Sequence, residues 1–342
     1  MAPPMTGRSW RVHRLGPPHQ ALGLDRRPVR PPQRDEACVR VDAVGLNHPD
    51  LLLCAGRYQE RPALPFSPGY EAVGTVVDAG REAGVRAGER VIVVPELPEG
   101  AMQDYLTATS DQLYRVPDDM PASTAAVLHV AYTTAHAALH HRAGLRTGET
   151  LLVTGAAGGV GSAVCQLGKA AGARVIAVAT GADKAAACES FGADAVVDLE
   201  RSPDPVAEVR DRTGGRGADV VVDVVGGAMF DQVRRSVAFE GRLVVVGFTD
   251  GTIPDAPANH VLLRNYAIVG LHLATYRREN PRLLRDIHAE LIDLVAREAI
   301  APRVHEVPFD QAPDALGLLA NRKAVGRVVL RSELFADDDS QT

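Results

Sequence analysis

The chain has 342 residues, 46% of them hydrophobic and 23% charged, which is the composition of a globular protein long enough for two domains. Its formal net charge of −6 and its scattered arginines argue against nucleic acid or an anionic membrane surface as the main partner. Residues 1–10 lack the apolar core of a secretory signal, and no run of about 18 apolar residues is present to span a membrane. The four cysteines are widely separated, which argues against a zinc knuckle and predicts reduced thiols in a cytoplasmic protein.

Short strands separated by Gly and Pro dominate the first third of the chain. Apolar runs of strand length occur, for example, at residues 37–44, 70–78 and 90–94. This pattern predicts an all-β, barrel-like domain over residues 1–123. A helix is predicted next, over residues 122–142.

From residue 150 onward, apolar strands alternate with amphipathic helices. Strands are predicted at residues 151–154, 174–179, 195–199, 220–225 and 242–247, and helices at residues 160–171, 183–191, 205–213 and 229–238. Uninterrupted Val, Ile and Leu runs are typical of strands that are buried on both faces of a parallel sheet covered by helices. Residues 124–270 are therefore predicted to form an α/β domain with a doubly wound parallel sheet of the Rossmann type.

The last 70 or so residues are too few to form a domain of their own. The predicted elements are helices at residues 281–297 and 311–320 and strands at residues 303–308 and 326–331. We expect residues 271–342 to return to the first domain and complete it, with a polar, disordered tail at residues 337–342.

An apolar run at residues 261–273 is interpreted as a strand near the end of the parallel sheet. An exposed strand edge of that kind favours pairing with a second copy of the chain, so a homodimer is predicted.

Small residues form the turn after the first strand of the α/β segment, in the sequence TGAAGGVG. Such a turn lets the chain bend at Ala156, approach a pyrophosphate closely at Gly158 and pack helix against strand at Gly161. Gly159 and Val160 open the helix, whose free N–H groups and positive dipole end attract phosphate. Because strand, loop, helix and next strand follow one another within 30 residues, a dinucleotide site is favoured over a tight turn without a ligand.

The residues after the second strand of this segment favour NADPH over NADH. An NAD site places Asp or Glu there to bind the ribose hydroxyls, whereas this chain has Thr180 at the strand's end and Lys184 shortly after it. No acid is found at that tip to repel a 2′-phosphate. The alternative for Lys184 is a solvated lysine at a helix start, and Asp183 beside it weakens the charge argument.

Further cofactor contacts follow from the rule that ligands bind at the carboxyl ends of parallel strands. On that rule we predict contacts at Val225, Gly247 and Phe248. Arg264 is interpreted either as a contact for the cofactor phosphates or a substrate carboxylate, or as a surface arginine.

Several motifs recur in a fixed order along almost the whole chain. They are GLNHPD at residues 45–50, GRY at 56–58, PGYEAVG at 68–74, GERV at 88–91 and GRVVL at 326–330, together with the glycine-rich turn and Lys184. In order and spacing they resemble the medium-chain dehydrogenase/reductase superfamily, and within it the zinc-independent quinone oxidoreductase branch that includes zeta-crystallin. The resemblance implies a GroES-like β-barrel catalytic domain interrupted by a Rossmann NADP-binding domain, and homodimers formed through the sheet edge.

The zinc ligands of the superfamily's alcohol dehydrogenases are missing from these motifs. Asn47 stands at the cysteine position, the Gly-His-Glu element reads Gly-Tyr-Glu with Tyr70 in the middle, and His48 alone does not close a tetrahedral site. Residues 94–101, where those enzymes carry four clustered cysteines, contain none. We therefore expect no metal site and, without that Lewis acid, no alcohol oxidation.

A metal-free site can still pass hydride from NADPH to an electrophilic acceptor such as a quinone or an α,β-unsaturated carbonyl. The resemblance implies that Asn47 and Tyr58 are the catalytic residues, that Asp50 supports their loop, and that Thr133 contacts the nicotinamide. Tyr58 matches the proposed proton donor of related 2-enoyl-thioester reductases. The alternatives stay open: Asn47 satisfies backbone groups in a turn, Tyr58 is a packing residue, and Asp50 caps a helix.

Two other functions also remain open. One is a 2-enoyl-thioester reductase for CoA or carrier-protein substrates, with Arg57, Arg61, Arg277 and Arg278 as candidate phosphate contacts. The other is a non-catalytic NADPH-binding protein, because members of this branch have been reused structurally. Leu199 departs from the branch, where a tyrosine is often found, so contacts at the adenosine end are expected to differ.

Overall fold

Residues 5–332 are described by a computed structural model of the chain, so the disordered tail predicted at residues 337–342 lies outside the described part. Within residues 5–332, no helix is both long enough and apolar enough to cross a membrane.

Fifteen β-strands occur in these residues. They are β1 (Thr6–Val12), β2 (Leu22–Pro28), β3 (Glu36–Leu46), β4 (Glu71–Ala79), β5 (Arg90–Val93), β6 (Tyr105–Thr109), β7 (Leu113–Arg115), β8 (Thr150–Val153), β9 (Arg174–Ala179), β10 (Ala195–Asp198), β11 (Ala218–Asp223), β12 (Val237–Val245), β13 (Ala267–Gly270), β14 (Val304–Pro308) and β15 (Arg327–Arg331).

The same residues form twelve α-helices. They are α1 (Pro18–Ala21), α2 (His48–Cys54), α3 (Ala122–Ala125), α4 (Thr133–His136), α5 (Gly159–Ala170), α6 (Ala182–Ser190), α7 (Pro205–Arg212), α8 (Gly227–Val233), α9 (Ala258–Arg264), α10 (Leu273–Glu279), α11 (Pro281–Ala296) and α12 (Ala312–Ala320). The single helix predicted over residues 122–142 is interrupted, because wider π-helical turns at Leu128–Tyr132 and Ala137–Arg142 flank α4.

Two compact units divide the chain. The first contains residues 5–130 and 303–332, and the second is Ala131–Pro302. From the sequence alone, the boundaries are predicted after residues 123 and 270 instead. The second boundary falls later because α11 packs against α4 and α10 of the second unit. Only β14, α12 and β15 return to the first unit.

The first unit contains a bent seven-stranded sheet, in the order β14-β15-β3-β4-β5-β7 with β6 also paired to β3, and a two-stranded antiparallel sheet of β1 and β2. Strand β3 bends at two register shifts, pairing with β4 along one edge and with β6 and β15 along the other. This pairing places Asn47, which follows β3, beside Glu71 at the start of β4 and Arg327 at the start of β15. Distant parts of the sequence therefore meet at one end of three adjacent strands.

A six-stranded, entirely parallel sheet forms the second unit, in the order β10-β9-β8-β11-β12-β13. This is the doubly wound order whose direction of progression changes between β8 and β11, the place where such sheets bind ligands at their carboxyl ends. The doubly wound parallel sheet predicted from the sequence is confirmed. The strand predicted at residues 174–179 has the bounds of β9.

Two predictions in the second half of this unit are wrong. The strand predicted at residues 261–273 is the helix α9 at its start, and only Ala267–Gly270 form the edge strand β13. An apolar run does not by itself distinguish a buried strand from a helix, and here Leu262 and Leu263 are each 76% exposed. The helix predicted at residues 229–238 ends at Val233, because β12 already begins at Val237.

Candidate functional site

The glycine-rich turn of the second unit has the shape that a pyrophosphate requires. A Cβ added at Gly161 would lie 2.2 Å from the carbonyl oxygen of Gly155, so only glycine lets α5 approach the turn this closely. Gly158 precedes α5 as its N-cap and places no side chain over the first turn. The N–H groups that open α5, at Gly159 and Val160, are therefore uncapped by any side chain and suited to bind phosphate.

A buried hydrogen-bond network fixes this turn to the neighbouring strand. The Thr154 hydroxyl donates to the Asp223 carboxylate at 2.6 Å and accepts from the Val224 N–H at 3.1 Å. The same carboxylate accepts from the N–H groups of Val225 and Gly226 at 3.0 and 3.2 Å. Because Thr154 and Asp223 are completely buried, the network holds the carboxyl ends of β8 and β11 in one geometry.

Three predicted cofactor contacts meet at this carboxyl edge. The position that a Cβ would occupy on Gly155 lies 3.2 Å from the Val225 Cγ2, and that on Gly226 lies 2.8 Å from the Phe248 ring. Gly247 precedes Phe248 in the loop after β12. Val225 therefore lies beside the glycine-rich turn, and Gly247 and Phe248 lie beside the residues that follow β11 at the same carboxyl edge, as the strand-end rule predicts.

Thr133 offers a polar atom that the protein does not use. Its side chain is completely buried and its hydroxyl oxygen has no hydrogen-bond partner in the structure. Thr133 begins α4, which packs against α5, the helix opened by the glycine-rich turn. A buried hydroxyl without a hydrogen-bond partner destabilises the fold unless a ligand supplies that partner, so Thr133 fits the predicted role of a cofactor contact.

The tip of β9 carries more charge than the sequence suggests. Thr180 is exposed there, and Lys184 lies in the first turn of α6. From the sequence no acid is predicted at this tip, but the structure places the Glu200 carboxylate there, 3.3 Å from the position that a Cβ on Gly181 would occupy. The rule that looks for an acid at the end of the second strand does not identify Glu200, because Glu200 follows β10 and not β9.

The cofactor residues predicted after the strands β8, β9, β11 and β12 therefore fall at one edge of the sheet of the second unit, where they fit a phosphorylated dinucleotide. Ala156 belongs to the same set, since it lies buried in the turn and its N–H donates to the Val178 carbonyl of β9. Arg264 does not belong to it. It ends α9, just before β13, and so lies at the amino end of the parallel strands. Of its two interpretations, the surface arginine is therefore favoured over a contact for phosphate or carboxylate.

In the first unit, three side chains form a buried cluster at the end of β3. The Arg327 guanidinium donates to the Glu71 carboxylate at 2.5 Å and to the Asn47 amide oxygen at 2.9 Å. The Asn47 amide N–H groups donate to the Gly45 carbonyl at 3.1 Å and to the Glu71 carboxylate at 3.0 Å. The second Glu71 oxygen accepts from the Val130 N–H at 2.8 Å. Burial raises the pKa of the Glu71 carboxyl above its ordinary value, and Arg327 is the main group that opposes this shift.

Asp50 caps the helix α2 from its third position. Its carboxylate accepts from the Asn47 backbone N–H at 2.7 Å, so the helix-cap interpretation is confirmed. The side chain is completely buried, and desolvation raises the pKa of its carboxyl to about 7.

Tyr58 lies on the chain just after α2 and packs edge-to-face against Tyr70, with the ring centroids 5.9 Å apart. Desolvation, reinforced by the Glu60 and Asp50 carboxylates, raises the pKa of the Tyr58 phenol to about 12. Desolvation, followed by the Tyr58 phenol and the Glu60 and Asp50 carboxylates, raises the pKa of Tyr70. Both phenols are therefore protonated at neutral pH, and either one could donate a hydrogen bond or a proton.

The donor set in the first unit does not fit a catalytic zinc. At the positions of the dehydrogenase ligands, the Asn47 amide is bonded to Arg327 and Glu71, and Tyr70 offers a protonated phenol. Among residues 5–332, no group of three or more His, Cys, Asp or Glu side chains is placed to hold a metal ion.

Four residues of these clusters were missed by sequence reasoning as parts of a site. Asp223 had a usable signal, an acid at the carboxyl end of an apolar strand. Glu71, Arg327 and Glu200 had weaker ones, because their partners are set by strand pairing and turn geometry.

Comparisons with known proteins agree with both units. Residues 33–118 match the alcohol dehydrogenase GroES-like domain family, and residues 159–289 match the zinc-binding dehydrogenase family. Quinone oxidoreductase-like protein 2 of Bos taurus is 37% identical over 327 residues, which cover 95% of this chain and 93% of that protein. The synaptic vesicle membrane protein VAT-1 homolog of Mus musculus is 31% identical over 332 residues, covering 91% and 80%.

Solved structures are similar over nearly the full length. A mycobacterial protein solved in complex with NADPH superposes with a TM-score of 0.87 at 31% identity, covering 95% of this chain and 99% of that one. A quinone oxidoreductase of Pseudomonas syringae superposes with a TM-score of 0.87 at 27% identity, with the same coverage.

Proposed function

The chain belongs to the medium-chain dehydrogenase/reductase superfamily, in its quinone oxidoreductase-like branch, and on that premise we propose that it passes hydride from NADPH to a quinone or an α,β-unsaturated carbonyl. The resemblance drawn from its motifs is confirmed, and so is the combination of a GroES-like domain with a Rossmann-type domain. The chain is an oxidoreductase that binds NADP(H). The kind of acceptor, a reaction without zinc and the roles of single residues are parts of the proposal.

The observation that carries the proposal is the bonding of Asn47. Its amide N–H groups donate to Gly45 and Glu71 and its oxygen accepts from Arg327, so the amide is engaged within the protein, which supports a reaction without zinc. Without a Lewis acid, an alcohol has nothing to stabilise its alkoxide during hydride loss. A quinone or an enone is already electron-poor and needs only orientation, a hydrogen bond to its oxygen and a proton.

Tyr58 is the proposed catalytic residue. NADPH, when bound by the second unit, would supply the hydride. The Tyr58 phenol would donate a hydrogen bond to the acceptor oxygen and, for an enone, the proton that neutralises the enolate. Because the pKa of the phenol is raised to about 12, it stays protonated at neutral pH. After it has donated its proton, water reprotonates it. Tyr70 holds the Tyr58 ring edge-on.

We propose that Asn47 is a positioning residue that fixes the start of α2. Since both of its amide N–H groups are bonded within the protein, it does not donate to the acceptor. Its backbone N–H bond to Asp50 and its side-chain bonds to Glu71 and Arg327 fix the start of α2, and hence the chain that leads to Tyr58.

A 2-enoyl-thioester reductase is the second candidate, and one observation favours it. Arg57 and Arg61 flank Tyr58 and are both exposed, so they could meet the phosphates of a CoA substrate. The same chemistry at Tyr58 would serve an enoyl thioester.

Turnover with three acceptors tests the proposal. Purified protein is mixed with NADPH and 1,4-benzoquinone, 2-cyclohexenone or crotonyl-CoA, and NADPH oxidation is followed by absorbance. We expect oxidation with the quinone or the enone and little with crotonyl-CoA. A preference for crotonyl-CoA would establish the second candidate, and binding of NADPH without oxidation by any acceptor would establish a non-catalytic binding protein. Stoichiometric zinc in the purified protein, lost together with activity on chelation, would contradict the zinc-free reaction.

The Tyr58→Phe variant tests the proton donor, with Tyr70→Phe as the matched control. General acid catalysis typically contributes about 10²- to 10⁴-fold, so kcat for the enone should fall by that order in Tyr58→Phe. The fall with the quinone should be smaller, because the hydroquinone anion needs protonation less than an enolate does. Equal, small losses in both variants would make Tyr58 a packing residue.

A further inference from the structure

The end of β9 is the part of a dinucleotide fold that meets the adenosine ribose. Thr180 and Gly181 follow the strand here, and Gly181 adopts a positive φ of 91°, which favours glycine. Its N–H donates to the Asp198 carboxylate at 2.8 Å. The tip of β9 is therefore fixed to the residue that ends β10.

The same carboxylate fixes Glu200. Asp198 also accepts from the Glu200 N–H at 3.1 Å, while the Leu199 N–H donates to the Ala179 carbonyl at 2.9 Å. The turns after β9 and β10 are thus both bonded to the Asp198 carboxylate, which places the Glu200 backbone beside Gly181. The two Glu200 carboxylate oxygens lie 3.3 and 3.4 Å from the position that a Cβ on Gly181 would occupy.

Charges of both signs therefore lie close to the tip of β9, where the ribose is expected to bind. Lys184 supplies a cation from α6, and Arg201 supplies another whose side chain is 78% exposed and whose Nε lies 3.7 Å from Asp198. A 2′-phosphate is attracted by these cations and repelled by Glu200, whereas a 2′-hydroxyl can donate a hydrogen bond to Glu200.

We propose that Glu200 sets the cofactor preference of this chain, lowering the affinity for the 2′-phosphate so that NADH is bound nearly as well as NADPH. This inference rests on nicotinamide dinucleotide binding by the second unit and not on the identity of the acceptor.

Binding measurements without any acceptor test this inference. The dissociation constants of NADPH and NADH are measured by the fluorescence of the reduced nicotinamide for the wild type, Glu200→Gln and Glu189→Gln. Glu189 is the matched control, since it carries the same charge on the exposed surface of α6, about 12 Å along the helix from Gly181. Thermal unfolding of each variant checks that the fold is retained.

We expect Glu200→Gln to bind NADPH about three- to tenfold more tightly and NADH equally or more weakly, while Glu189→Gln matches the wild type. The gain should shrink as the salt concentration rises from about 0.05 M to 0.5 M, because these charges are exposed. An unchanged ratio of NADPH to NADH affinity in Glu200→Gln would overturn the role of Glu200 alone. Failure of the wild type to bind either cofactor would overturn the site itself, and failure to reduce quinones or enones would leave the inference standing.

Discussion

Arg327 and Glu71 form an ion pair inside the first unit, with 2.5 Å between the guanidinium nitrogen and the carboxylate oxygen and with side chains that are 4% and 0% exposed. The pair joins the start of β15 to the start of β4, although the two residues are 256 positions apart in the sequence. Asn47 completes the cluster, so the pair also supports the residue from which α2 begins.

Removing one partner of this pair is expected to be costly. Glu71→Ala should lower the free energy of unfolding by about 3 to 5 kcal/mol, because it leaves the Arg327 charge buried without a counter-charge. Urea unfolding followed by the fluorescence of Trp10, the chain's single tryptophan, measures this in the first unit, where the indole N–H donates to the Phe309 carbonyl.

The exposed pair of Arg34 and Glu82, 60% and 50% exposed, provides the control in the same unit. Glu82→Ala should cost less than about 1 kcal/mol. Similar losses in Glu71→Ala and Glu82→Ala would mean that the buried cluster does not hold the first unit together.

The stability of the first unit should depend on pH through Asp50. The carboxyl has a pKa of about 7 when folded, against about 4 when unfolded. Between these values the folded chain retains a proton that the unfolded chain releases, so this contribution to stability is complete below about pH 4 and is lost as the pH rises through 7.

Asp50→Asn should remove that dependence while keeping an oxygen that accepts from the Asn47 N–H. The difference in unfolding free energy, wild type minus variant, should decrease between pH 5 and pH 7 by up to about 1.4 kcal/mol per unit. Trp10 fluorescence in urea at pH 5, 6, 7 and 8 measures it. Parallel curves for the two proteins would show that Asp50 ionises at an ordinary pKa.

The sequence predicts the second unit well because its strands are uninterrupted apolar runs. Strand β9 has its predicted bounds, and the glycine-rich turn needs only local geometry to be identified. Prediction fails where the outcome depends on what covers a segment. The run around Leu262 and Leu263 looks like a buried strand but is an exposed helix, and the π-helical turns around α4 leave no pattern in the residue types.

The site of the first unit could be predicted only in part. The motifs locate Asn47, Asp50 and Tyr58, because these lie together in one short segment. The partners of Asn47 come from β4 and β15, and only strand pairing brings them there. The resemblance implies a catalytic role for Asn47, whereas in the structure its amide N–H groups donate to the Gly45 carbonyl and the Glu71 carboxylate.

The edge of the parallel sheet should hold two copies of the chain together. β13 pairs only with β12 in the sheet, and Leu262 and Leu263 of the preceding helix α9 are among the most exposed large apolar side chains of residues 5–332. An uncovered edge beside exposed leucines favours association. We expect light scattering at micromolar concentration to give a dimer mass for the wild type.

Leu262→Glu combined with Leu263→Glu should shift that mass towards the monomer, because charges would then be buried at the interface. Leu24→Glu, at a partly exposed leucine of the first unit, is the control and should remain dimeric. A monomeric wild type would contradict the predicted homodimer.

Two glycines of the cofactor turn should separate folding from binding. A Cβ at Gly161 would meet the Gly155 carbonyl oxygen at 2.2 Å, whereas at Gly158 the nearest atom, the same oxygen, is 3.3 Å away. Gly158 also has a φ of −84°, which alanine adopts without strain. Gly161→Ala must therefore move α5, while Gly158→Ala keeps the fold and places a methyl group where the pyrophosphate approaches the backbone.

We expect Gly161→Ala to lower the melting temperature and to lose NADPH binding. Gly158→Ala should have the melting temperature of the wild type but bind NADPH about ten- to hundredfold more weakly. That change corresponds to a loss of about 1.4 to 2.8 kcal/mol of binding free energy. Circular dichroism and NADPH fluorescence measure the two quantities, with Gly317→Ala on α12, where a Cβ meets nothing within 4 Å, as the control. Unchanged NADPH affinity in Gly158→Ala would place the pyrophosphate away from this turn.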